Sequence, residues 1–211
     1  MKRDMPDYTE LRKLSPTAYA DALGREQFMD IGIKELWPQM PRIAGPAYTV
    51  RCPPGDNLML HAAIYRAPAG SVIVVEAGNV DYAVSGGNVC AIAQRRQIAG
   101  FVVDGVIRDI AEVRAAQFPV FARGVSPIPG VKQTLGTLGK PIHCGGVHVH
   151  PQDIIVADEE GIAVIPVADQ AHVYEITYKR TVKDASQSLE EWEAAHKAKI
   201  ARILLEQGFT K

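Results

Sequence analysis

The stretch Gly100 to Val113, GFVVDGVIRDIAEV, constrains the fold of this chain more than any other. An apolar run of strand length, Phe101 to Val103 and on through Val106 and Ile107, ends on an adjacent cation and anion, Arg108 and Asp109. Helix-forming residues follow at once. A strand that delivers directly into a helix is the repeating unit of an α/β chain. A second continuous apolar run, SVIVVEAG from Ser71 to Gly78, reads as a strand covered on both faces, the pattern expected inside a parallel sheet packed by helices.

The flanking segments follow the same alternation. Ser15-Pro16 is a helix start, a capping hydroxyl before proline at the first helical position. Arg42 to Cys52 (RIAGPAYTVRC) reads as a strand, Pro53 to Asn57 (PPGDN) as a turn, and LMLHAAIYRA as a helix. A helix is expected from about Asn88 to Gln97, another over DIAEVRAAQF, then a short strand PVFARG. Ser126 to Lys140 is rich in glycine and proline without periodicity and reads as a loop. GVHVHPQDIIVADEEGIAVIP gives several short strands with turns at Pro151 and Glu160-Gly161. From Val167 to Gln207 the chain reads as helical. The fold class is therefore α/β, with a core over residues 1–166 and a helical extension over 167–211 expected to pack on that core or on a neighbouring subunit.

Composition excludes several classes of function. The 211 residues are 47% hydrophobic and 22% charged, with 23 basic against 24 acidic side chains, so no electrostatic footprint for nucleic acid or an anionic membrane exists. No apolar stretch approaches the ~20 residues of a membrane helix, and the N-terminus MKRDMPDYTE has no apolar signal segment. Cys52, Cys90 and Cys144 are odd in number and lack CxxC spacing, as reduced core thiols would be. A cytoplasmic location is expected.

Three features could carry chemistry together. Ser85-Gly86-Gly87-Asn88-Val89 opens a helix, where unpaired N–H groups favour an anion and glycines permit close approach; the same residues could equally form a plain turn. Arg108 could grip a carboxylate through two parallel hydrogen bonds. Asp109 could supply one hard oxygen to a magnesium-type ion, which takes only one or two protein carboxylates. The plainer alternative makes Arg108 and Asp109 surface charges, with Asp109 capping the next helix. Asp104 could orient Arg108 or cap the turn at Gly105. His143 to His150 (HCGGVHVH) has the look of a metal tract, but spacing fixes no third ligand, so it reads as a structural strand.

From about Leu14 to Pro166 the chain resembles the RraA-like family, which includes metal-dependent 4-hydroxy-4-methyl-2-oxoglutarate aldolases and oxaloacetate decarboxylases. The matching pieces are SPTAYADALG, GPAYTVRCPPGDNL, GSVIVVEAG, GGNV, GFVVDGVIRD and GGVHVHPQDIIVADEEGIAVIP, in family order and including the DGxxRD signature at Asp104 to Asp109. The resemblance implies a compact α/β sandwich assembled as a homotrimer or homohexamer, with sites between subunits. It implies that Gly86, Gly87, Asn88 and Val89 hold the pyruvate-like end of a 2-oxo acid, that Arg108 binds its carboxylate or keto oxygen, and that Asp109 is the direct ligand of Mg2+ or Mn2+. Departures from the family pattern are Ser85, Asn88 and Gln152, the last standing where a Pro-Gly-Asp turn usually has glycine.

The activity implied is C–C cleavage of a 2-oxo acid to give pyruvate, by retro-aldol reaction, decarboxylation of oxaloacetate, or both. A retro-aldol step also needs a base; the resemblance points to an acidic residue of the neighbour's C-terminal region, where Glu190, Glu191, Glu193 and Glu206 are candidates. The alternative is a non-catalytic regulator of ribonuclease activity acting by protein contact. A methyltransferase is not expected, because neither strand is followed by a glycine-rich nucleotide fingerprint.

Overall fold

The structure, a computed structural model, describes residues 7–209. The Ser15-Pro16 signal works as read: Ser15 accepts a hydrogen bond from the Ala18 N–H at 3.2 Å, with Pro16 in the first turn. The helix it starts is short. After α1 (Tyr8–Lys13) and α2 (Pro16–Tyr19) comes a two-residue strand, β1 (Lys34–Glu35), which no sequence pattern announced. Strand and helix then alternate as β2 (Ile43–Arg51), α3 (Leu58–Ala63), β3 (Val72–Glu76), α4 (Gly87–Arg95), β4 (Gly100–Ile107), α5 (Ile110–Ala115) and β5 (Val120–Val125). Five more strands follow: β6 (Thr137–Leu138), β7 (Ile142–Cys144), β8 (Val147–Val149), β9 (Ile154–Asp158) and β10 (Gly161–Ile165). The helices α6 (Gln170–Ala185) and α7 (Leu189–Glu206) end the chain.

The main sheet runs β1-β5-β4-β3-β2-β9-β10, with β6 paired to the end of β2. Strands β2 to β5 are mutually parallel, and the antiparallel hairpin β9–β10 and strand β1 flank them. The outermost strands β1 and β10 also touch, so the sheet curls nearly closed. Val72 to Val75 and Phe101 to Val103 are all buried, which is why their sequences show no alternation: helices cover one face and the curled interior the other. The β7–β8 hairpin fills part of that interior. Its alternate residues Ile142, Cys144, Val147 and Val149 join the core while His143 and His148 face outward and stack at 4.6 Å.

A second apolar cluster lies on the opposite face of β9 and β10. Leu11, Leu14 and Tyr19 meet Ile154, Val156, Ile165 and Val173 there, which fastens α1, α2 and α6 to the sheet. No residue of α7 is buried. All three cysteines are free and buried.

Two local features aim the end of β4. Pairing with β5 slips in register between Val103 and Val106, an irregularity of the kind that redirects the residues following it. Within it, a Cβ on Gly105 would stand 2.5 Å from the Ala77 Cβ, so only glycine lets the strands approach. Asp104 fulfils neither role expected of it. Its carboxylate is bound by Arg123 of β5 and by the Gly145 N–H at 2.7 Å, so it ties the hairpin to the sheet and leaves Arg108 alone.

Candidate active site

The site forms at the carboxyl end of β4, where open parallel sheets commonly bind ligands. The segment before α4 runs alongside that strand end: the Val84 N–H donates to Val106 O at 3.0 Å and the Arg108 N–H to Ser85 O at 2.9 Å. Those two bonds bring Gly86 to Val89 against Arg108 and Asp109.

Asp109 stands in the N-cap position of α5, but its side chain makes no capping bond there. Its backbone is left-handed, with φ 57°, which turns the carboxylate back toward α4. Asp109 Oδ2 accepts a hydrogen bond from the Gly87 N–H at 3.1 Å and lies 3.5 Å from Arg108 Nε. The plain reading of Asp109 as a side-chain cap is therefore not what the fold builds. Gly86 leaves room for this approach, and Gly87 leaves room for the Glu112 side chain. A Cβ on Gly86 would lie 2.4 Å from Asp109 Oδ2, and one on Gly87 would lie 1.9 Å from Glu112 Oε2.

A cleft opens over this junction, lined by Gly86, Asn88, Val89, Arg108 and Asp109 of the expected residues. Gly87 lies behind them, its N–H occupied by Asp109. The N–H groups of Asn88 and Val89 have no partner among the described residues and are free to meet an anion. The cleft is also lined by residues that sequence reasoning did not single out: Asn57, His61 and Lys132. Burial, then the nearby Lys132 and Arg108 cations, push the His61 imidazole down to about 4, so it is neutral at neutral pH. Asn57 and His61 sit within or beside a turn-and-helix segment that looked wholly structural, and Lys132 lies in the aperiodic loop.

The donor set suits a hard cation of low protein demand. Among the described residues no three His, Cys, Asp or Glu side chains converge on a metal position. Asp109 alone offers a carboxylate to the cleft, and its Oδ1 takes no hydrogen bond among the described residues. One carboxylate completed by water and ligand matches magnesium or manganese and not a closed zinc site. The C-terminal glutamates are elsewhere. Glu191 closes a capping box with Ser188, Glu206 lies 3.8 Å from Arg202, and Glu190 and Glu193 are exposed on α7.

The family described as RraA-like (Aldolase/RraA) matches residues 17–164. The chain belongs to the RraA-like family. A relative from Halalkalibacterium halodurans named "Putative 4-hydroxy-4-methyl-2-oxoglutarate aldolase" is 39% identical over 177 residues, covering 83% of this chain and 84% of its own. Among solved structures, RraAS2 of Streptomyces coelicolor, titled an unusual member of the RNase ES inhibitor RraA family, superposes with a TM-score of 0.74 at 27% identity. It covers 92% of this chain and 98% of its own. The RNA-processing inhibitor RraA from Thermus matches with a TM-score of 0.63 at 26% identity, over 76% of this chain and 93% of its own. Membership in the RraA-like family thus joins aldolase-named and inhibitor-named relatives on one mixed α/β fold. Among the described residues, no helix is long and apolar enough to cross a membrane.

Proposed function

We propose that this RraA-like protein is a divalent-metal-dependent lyase that cleaves a C–C bond of 2-oxo acids to give pyruvate. One observation carries the reading: the Asp109 carboxylate, the Arg108 guanidinium and the free N–H groups opening α4 meet in a single cleft. Asp109 would hold Mg2+ or Mn2+, which when bound would polarise the substrate carbonyl as a Lewis acid.

The chain's own groups divide the remaining work. The N–H groups of Asn88 and Val89 receive the substrate carboxylate at the positive end of α4. Arg108 forks onto the carboxylate or keto oxygen and faces the negative charge that develops as the bond beyond the carbonyl breaks. Donors fixed before the reaction are worth several kcal/mol of barrier, roughly 2.7 to 4 for a single one. The same oxygen gains charge whether the departing fragment is a carbonyl compound or carbon dioxide, so one site serves a 4-hydroxy-4-methyl-2-oxoglutarate-type substrate and oxaloacetate alike. The relative's name supports the first substrate class. Decarboxylation, which needs no hydroxyl base, is the simpler activity for the residues of a single chain.

The subunits assemble as homotrimers or homohexamers in this proposal, in the cytoplasm, with residues 167–211 forming a helical extension of the 1–166 core. The uncovered Leu189, Trp192, Ile203 and Leu204 of α7 support a contact with a neighbouring copy. The test is pyruvate release from oxaloacetate and from 4-hydroxy-4-methyl-2-oxoglutarate with Mg2+ or Mn2+, abolished by chelator. Turnover indifferent to chelator would overturn metal dependence. The similarity to ribonuclease inhibitors supports a second reading, regulation by protein contact. Absence of turnover with every metal and substrate, together with inhibition of a ribonuclease, would favour it.

A further inference from the structure

The histidine tract from His143 to His150 lies outside the cleft, and the fold gives it an arrangement that its spacing left open. Gly145 and Gly146, at φ 55° and 77°, make the two-residue turn between β7 and β8 and so fix how the two strands pair. In that pairing His143 stands directly opposite His148. Because Ile142, Cys144, Val147 and Val149 all enter the core, both imidazoles are turned to the exposed face of the hairpin. Their rings lie parallel within 7°, with centroids 4.6 Å apart. His150 continues the row 4.6 Å beyond His148, its Nδ1 3.7 Å from the buried Asp153 carboxylate.

The ring nitrogens of His143 and His148 have no hydrogen-bond or ion-pair partner among the described residues. The backbone beneath them is firmly held. The His143 N–H donates to Glu76 Oε2 at 3.1 Å, the Gly145 N–H to Asp104 Oδ2 at 2.7 Å, and the Asp30 N–H to Gly145 O at 2.9 Å. Two unengaged imidazoles side by side on a rigid support make a ready chelate, because ligands already held near each other lose little freedom on taking up an ion. Neutral imidazole suits borderline ions such as Cu2+ and Zn2+, whereas the single carboxylate of Asp109 suits hard Mg2+ or Mn2+. Affinity at such nitrogen sites rises from Mn2+ to Cu2+, so the two places sort ions by type.

We propose that His143 and His148 form a second metal site, for a borderline transition-metal ion bound through two imidazoles with water completing its shell. Two protein ligands make this an open site, unlike the closed centres of structural zinc. It lies on the outer face of the hairpin and stands apart from the lyase reading. A bound ion cross-links β7 to β8 and so stiffens the hairpin whose Gly145 holds Asp104 of β4.

The test is Cu2+ titration of the full-length protein, first freed of metal by chelator, followed by electron paramagnetic resonance. Wild type takes up one preferred Cu2+ per chain, with splitting from imidazole nitrogen. His143→Gln and His148→Gln each weaken that binding by at least about tenfold, since even a residue behind a metal ligand is typically worth roughly 10–100-fold. Both side chains are exposed, so the variants keep the fold. His196→Gln, on α7, leaves the affinity within about twofold, as a distant and independent position should. Excess Mn2+ does not displace the bound Cu2+. Equal Cu2+ affinity in wild type and both hairpin variants overturns the site. So does uptake of several weak Cu2+ ions per chain with none preferred.

Discussion

The Asp109 carboxylate is held against the first turn of α4 by the Gly87 N–H at 3.1 Å, across twenty-two residues of sequence. The bond fixes one carboxylate oxygen and depends on the absence of a side chain on Gly86. Gly86→Ala would place a methyl 2.4 Å from Asp109 Oδ2 and 3.0 Å from Arg108 Cγ. We expect kcat on oxaloacetate to fall by about 100-fold, the scale of a misplacement near 1 Å. The thermal midpoint should move little, because the atoms that must yield are side-chain ends. Wild-type turnover in this variant would show that the carboxylate's position is immaterial.

Arg108→Lys tests the fork. A lysine keeps the charge but offers a point donor where a planar pair is required. Steady-state kinetics should show kcat/KM reduced by roughly 100-fold or more, the loss typical of a donor aimed at developing charge. Near-normal kinetics would refute the assigned role.

Asp56 governs the loop that carries Lys132. Burial alone would raise its carboxyl, but the N–H groups of Leu58, Gln133 and Thr134, with Lys132 nearby, hold it below the ordinary 3.8. Its contribution to stability is therefore fully present above about pH 4 and is lost only as the pH falls through the lower folded value. Asp56→Asn should cost about 1.5–3 kcal/mol in urea unfolding at neutral pH. A loss below about 0.5 kcal/mol would mean that the clamp contributes little.

His61 gives a pH signature of its own. Its folded value, about 4, lies below the ordinary 6.5, so the unfolded chain binds more protons between them. Stability from this group is intact above pH 6.5 and declines as the pH falls toward 4. In urea titrations His61→Gln should flatten that slope; an unchanged slope would place the proton uptake elsewhere.

Four glutamines hold backbone conformations that favour glycine: Gln97, Gln117, Gln39 and Gln152, at φ 60°, 53°, 61° and 74°. The first two close helices α4 and α5, where Ile98 N–H returns to Ala93 O and Phe118 N–H to Val113 O. Replacing each by glycine should add up to about 1 kcal/mol, since the left-handed strain of roughly 1–2 kcal/mol is partly offset by glycine's entropy. Scanning calorimetry should show each midpoint rise by about 2–4 °C. A fall would mean that the glutamine side chains contribute more than their strain costs.

The strands were legible because Val72 to Val75 and Phe101 to Val103 are apolar throughout, and only a doubly covered strand tolerates that. The meeting of GGNV with Arg108-Asp109 was legible because both motifs sit where a strand or loop enters a helix. The left-handed backbone of Asp109 was not, since aspartate occupies both cap and left-handed positions and local sequence does not separate them. Asp104 was misread because its partner Arg123 stands on another strand, nineteen residues away. Lys132 and His61 were missed for a related reason: hydrogen bonds accepted by Asp56 and donated by Asn57, not periodicity, set the loop that lines the cleft.

The central claim is that Asp109 holds the cation, and Mn2+ binding followed by electron paramagnetic resonance tests it without turnover. Asp109→Asn keeps a side chain that tolerates the left-handed backbone and removes only the charge. The account predicts saturable binding of one Mn2+ per chain in the wild type, strengthened by oxalate, and a loss of at least about tenfold in affinity in the variant. Equal Mn2+ affinity in the two proteins would contradict it.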